Sequence, residues 1–74
     1  MKTYLKLILN SEGASPMQVV AVLKKHGFEP AIGIHDLEKN WGKEKKEVAE
    51  VLDFIEKVHM ALKGMNISYE ITTI

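Results

Sequence analysis

The sequence contains no cysteine and no arginine, only two prolines, and no apolar run near the length of a membrane span. Each absence removes a class of explanation. Without cysteine there is no disulfide framework, no thiolate nucleophile and no cysteine-ligated zinc or iron–sulfur site. Small secreted domains usually lean on disulfides, so a cysteine-free chain points to a reducing, cytoplasmic setting. A helical span needs ~20 apolar residues. Residues 1–6 are followed only by the short run Leu7 to Leu9 and do not read as a signal peptide, so no membrane role is expected.

The ten basic residues are all lysines and balance ten carboxylates, for a formal net charge of zero. Arginine supplies the planar fork that reads guanine and clamps phosphate. Without it, and without surplus positive charge, no nucleic-acid partner is expected.

What is present is helical and strand periodicity. Residues 1–74 read as a single small α/β domain, of a size that buries about 60% of its unfolded surface. The longest clean period runs from Lys43 to Lys63, where Val48, Val51, Leu52, Ile55, Val58 and Leu62 recur three and four residues apart. Phe54, Ala61 and Met65 widen that stripe, and Glu47, Glu50, Asp53, Glu56 and Lys57 fill the other side. Burying about six such side chains at ~1.5–3 kcal/mol each is worth on the order of 10 kcal/mol, an upper bound because the unfolded chain already hides part of that area. The mixed-sign run Lys43-Glu44-Lys45-Lys46-Glu47 reads as a solvated first helical turn.

Thr3 to Leu9 alternates, with Leu5, Leu7 and Leu9 on one side and Tyr4, Lys6 and Ile8 on the other, as in a strand central to its sheet. Ser15-Pro16-Met17-Gln18 announces a helix. Ser15 is a good N-cap, Pro16 sits where its missing N–H is harmless, and Gln18 completes a capping box. Lys24-Lys25-His26-Gly27-Phe28 and Leu62-Lys63-Gly64-Met65 are matched helix stops: base, glycine, then an apolar residue that folds back. Ala31 to Ile34 reads as a second strand with Pro30 at its start, and Ile67 to Thr73 as the last.

These elements imply an α+β fold, a two-layer α/β sandwich with both helices on one sheet face. The expected form is ferredoxin-like βαββαβ with an abbreviated third strand, made by Leu37 to Trp41 pairing with Ala31–His35. The alternative is an all-parallel βαβαβ sheet, with residues 36–41 as loop or helix start.

The loop Asn10–Ser15 and the segment His35–Trp41 are expected to be neighbours. A small anionic ligand would be held by Asn10, Ser11, Gly13 and Ser15 at the N-terminus of a helix, with His35, Asp36 and Trp41 beside it. The plainer reading, a polar turn beside an ordinary strand exit, is preferred, because no phosphate-loop or metal-ligand spacing accompanies these residues. His26 and His59 read as structural, and Trp41 as either a helix anchor or an exposed contact. No catalytic residue, metal ligand or cofactor is assigned.

Tyr4, Lys6, Ile8, Ala31 and Gly33 are expected on the sheet face away from the helices, a face that another chain would cover. The function expected is therefore a non-catalytic interaction or small-molecule-sensing module that self-associates as a homodimer, or meets a protein partner, through this open face. The alternative is a small metal- or anion-binding protein or enzyme using the loops at 10–15 and 35–41. An RNA-binding sheet is disfavoured, because Tyr4 and Tyr69 fall on opposite sides and make a poor stacking platform.

Overall fold

In the computed structural model, which describes residues 1–43 and 46–74, the alternating N-terminal segment forms β1 (Lys2–Ile8). There follow α1 (Pro16–Lys25), β2 (Glu29–Pro30), β3 (Leu37–Asn40), α2 (Val48–Leu62) and β4 (Ser68–Thr73). The four strands make one sheet in the order β2-β3-β1-β4, and every neighbouring pair is antiparallel. The class is α+β. The all-parallel alternative is overturned, because Leu37–Asn40 returns beside β1 with Leu37 opposite Leu5 and Asn40 opposite Lys2.

The helix signals are realised locally. Ser15 Oγ accepts from the Gln18 N–H, and Gln18 Oε1 accepts from the Ser15 N–H at 2.8 Å, closing the capping box. At the other end of α1 the Phe28 N–H returns to the Leu23 carbonyl at 3.1 Å and the Gly27 N–H to Lys24 at 3.0 Å. This reversal needs a left-handed residue at position 27, where Gly27 has φ +89°. It folds Phe28 into the core, where only 2% of it is exposed. Gly64 adopts the same φ of +89° after α2.

Three expectations are corrected. Ala31–Ile34 is not a strand: the second strand is the two-residue β2 ahead of it, making β2 rather than the third strand the abbreviated one. Residues 31–36 instead form the hairpin loop, closed by the Ala31 N–H on the Asp36 carbonyl at 3.0 Å. Next, α2 starts at Val48, with Glu47 as an extended N-cap that makes no side-chain cap bond. Lys43, Lys46 and Glu47 therefore lie outside the helix, and Glu44 and Lys45 lie outside the described residues. Finally, α2 is rotated relative to the expected stripe. Val58 and Leu62 are buried and Phe54 packs against the core, whereas Leu52 and Val48 remain 59% and 74% exposed.

One core results, built from Leu5, Leu37, Val19, Leu23, Phe28, Val58 and Leu62. Both helices contribute to it, so both cover the face that carries Thr3, Leu5 and Leu7. Cross-strand partners share a face, so the register places Tyr4, Lys6, Ile8, Glu38, Ser68, Glu70 and Thr72 on the opposite, open face.

Candidate functional site

The anion-site reading depends on free N–H groups in Asn10–Ser15, and the fold uses most of them. The Glu12 N–H goes to Asn10 Oδ1 at 2.9 Å, Gly13 to the Asn10 carbonyl at 2.9 Å, and Ala14 to the Met65 carbonyl at 2.9 Å. Ser15 and Gln18 satisfy one another in the capping box. Gly13 is pressed against the α2–β4 connection, so that a Cβ there would lie 2.5 Å from the Asn66 carbonyl oxygen. An open groove of about 490 Å³ does run past Leu9, Ser11, Ser15 and Gln18. Its floor, however, is a capped helix start in which the Gln18 and Val19 N–H groups already have partners.

The second half of the expected site is divided. Asp36 Oδ2 accepts the Leu7 N–H at 2.7 Å, and the Asp36 N–H donates to the Leu5 carbonyl at 3.0 Å. The carboxylate therefore stands in for the ladder where β3 has ended, a structural task. The His35 ring lies on Tyr4, centroids 4.8 Å apart, over the open face. Trp41 is not a neighbour of Asn10–Ser15 at all. Because β3 runs antiparallel to β1, Trp41 reaches Met1, whose carbonyl accepts the Trp41 N–H at 3.0 Å. The seven-residue length of β1 separates it from the loop, about 20 Å at ~3.3 Å per residue.

At that far end a polar-aromatic cluster forms on the helix side of the sheet, and sequence reasoning missed most of it. The Trp41 indole N–H donates to the fully buried Thr3 Oγ1 at 2.8 Å, and Thr3 shares a second 2.8 Å hydrogen bond with Thr73 Oγ1. Phe54 meets Trp41 edge-on at 5.0 Å. Lys39 Nζ sits 5.0 Å from the Trp41 ring and 4.9 Å from Phe54, and donates to the His26 carbonyl at 3.4 Å. Of the two readings of Trp41, the helix anchor is the one the geometry fits.

The open face is polar in its upper half. Glu29 lies opposite Glu38, a like-charge pair that Lys2 relieves by bridging to Glu38 at 3.2 Å. That hydrogen bond, then the charge of Glu38 and the smaller influence of Tyr4, raise the Lys2 pKa above the ordinary lysine value. Lys6 faces Glu70. Ala31 and Gly33, expected here, lie instead in the hairpin loop. That loop carries the most unusual exposure in the molecule. Ile32 is fully exposed and Ile34 is 82% exposed, at the tip of a loop that Asp36 ties to β1 near the exposed Ile8.

His59 Nδ1 and the Tyr69 hydroxyl are hydrogen-bonded at 2.9 Å, beside a groove of about 300 Å³ that also touches Lys63 and Asn66. This joins α2 to β4, and the helix spacing gave no sign of it. Among the described residues no group of three or more histidine, aspartate or glutamate side chains is placed to hold a metal ion. No helix among them is long and apolar enough to cross a membrane. Compared with protein-family models, with curated proteins and with solved structures, the chain matches none.

Proposed function

We propose that this chain is a non-catalytic protein-interaction module of ferredoxin-like βαββαβ build, presenting the hairpin tip and the adjoining open sheet face to a protein partner. The ferredoxin-like reading is supported by the alternation of strands and helices along the chain and by the two inner places of β1 and β3. The observation that carries the functional reading is the pair Ile32 and Ile34. Two β-branched apolar side chains stand in solvent on a loop fixed at both ends, by the Ala31–Asp36 closure and by the Asp36 clamp on β1. Exposed apolar groups contribute nothing to the fold of the isolated chain and gain ~1.5–3 kcal/mol each on burial in an interface. Ile8, Lys6 and the stacked Tyr4–His35 pair extend the surface.

The partner is better matched by a different protein than by a second copy of the same face, because the ion pair Lys2–Glu38 is already closed within it. A cysteine-free composition supports a reducing compartment. The small-anion alternative is weakened because the Glu12, Gly13, Ala14 and Ser15 N–H groups are engaged within the chain.

The test is affinity capture from an extract of the source cells with the native chain and with the Ile32→Ser/Ile34→Ser double variant, both verified as folded. A protein retained by the first and lost with the second supports the reading. Equal capture by both, or none by either, defeats it.

A further inference from the structure

We infer that the free edge of β4 pairs with the same edge of a second copy, across a twofold axis through Ile71, to give a continuous eight-stranded sheet with all four helices on one side. This goes beyond the hairpin reading and does not depend on it.

The two edges of the sheet differ. The β2 edge is two residues long and contains Pro30, which shortens it and removes a donor. The β4 edge is six residues, Ser-Tyr-Glu-Ile-Thr-Thr, rich in β-formers, with no proline or lysine to block pairing. Its groups without a partner among the described residues follow from the ladder. Lys2 and Ile74 exchange both backbone hydrogen bonds at 2.9 Å, so in the β1–β4 register every second residue from Ile74 faces β1. Tyr69, Ile71 and Thr73 lie between these and direct their N–H and C=O outward.

Self-pairing has one register that satisfies all three. With Ile71 opposite Ile71 of the second copy, Tyr69 falls opposite Thr73, and each of these pairs can exchange both hydrogen bonds. Glu70 then faces Thr72. Shifting the strands so that Glu70 lies opposite itself would instead set two carboxylates together.

The layer above the strand matches. Val48, Leu52, Ile55 and His59 follow one another at four, three and four residues, one flank of α2, and His59 reaches Tyr69, so this flank overhangs β4. Its exposed Val48 and Leu52 are the apolar surface that the chain's own sheet leaves uncovered. The twofold axis sets the two α2 helices antiparallel. Glu47 and Glu50 at the start of one then approach His59 and Lys63 at the end of the other, with helix dipoles opposed. Zero net charge adds no long-range repulsion between copies.

Sedimentation velocity of the native chain across the micromolar range is expected to show a concentration-dependent dimer. Leu52→Lys, a substitution at an exposed position, should weaken it by about tenfold or more with unchanged melting of the dilute monomer. Because the chain has no cysteine, the register is checked directly. Ile71→Cys places two thiols on residues about 5.5 Å apart between Cα atoms, and mild oxidation should yield a covalent dimer. Ser68→Cys, about 20 Å from its own copy in this register, should not. A strict monomer, cross-linking at Ser68 in preference to Ile71, or a dimer indifferent to Leu52→Lys but abolished by Ile8→Lys would each overturn the edge assignment. The last of these would leave the open face as the contact.

Discussion

Among the described residues, Thr3 is the polar side chain that is fully buried. Its buried hydroxyl accepts the Trp41 N–H and meets Thr73, so it ties β1 to β4 and to the segment leading into α2. Thr3→Val keeps the shape and removes both bonds, leaving two polar groups to find water. A loss of about 1–2 kcal/mol is expected, read as a lower urea midpoint with an unchanged slope. Asp36 acts by the same logic on the opposite flank of β1. Asp36→Ala should cost about 1 kcal/mol and speed hydrogen exchange at the Leu7 amide, which no longer has its carboxylate acceptor. Lys2 contributes in a pH-dependent way. Its pKa is raised in the folded chain by Glu38, so its share of stability is complete below the ordinary lysine value and fades as pH rises through the raised one. The melting temperatures of the native chain and Lys2→Met should therefore differ near neutrality and converge in the alkaline range.

At the scale of elements, the parts legible in the sequence are those whose causes lie within a few residues. Ser15, Pro16 and Gln18 fix the start of α1 by contacts three residues apart, and Ser15→Ala should lower stability by about 1 kcal/mol in thermal melts. The glycine stop of α1 is local too, whereas α2 ends differently, with Lys63 extended and the Met65 N–H on the Leu62 carbonyl. What was not legible depends on distant contacts. Ala31–Ile34 has strand-like composition, yet a clamp from Asp36 to Leu7, 29 residues away in sequence, decides that it is a loop. Likewise the three-and-four spacing of α2 defines a wide stripe without its centre. The centre is set by Phe54 turning in to Phe28 and Trp41, which leaves Leu52 outside. In the candidate anion loop, the capping box readable in its sequence engages the Ser15 and Gln18 N–H groups within the chain. Gly13 was readable as a turn, but not as a point of backbone contact with Met65 and Asn66. Gly13→Ala should cost about 1–3 kcal/mol by overpacking, with calorimetry as the check.

For the molecule as a whole, the strand at the heart of the sheet has partners far away along the chain. β1 pairs with β3 across about half the chain and with β4 through Thr3 and Thr73, 70 residues apart. Of the four strands it is the earliest to leave the ribosome, and it can be sealed on its second side only after β4 has followed. Until then a leucine-rich ribbon waits with an open flank, the sort of intermediate that sticks to its neighbours. In a cell this chain is therefore most vulnerable until β4 has paired with β1, and its yield should respond to translation speed and holding chaperones more than its final stability would suggest.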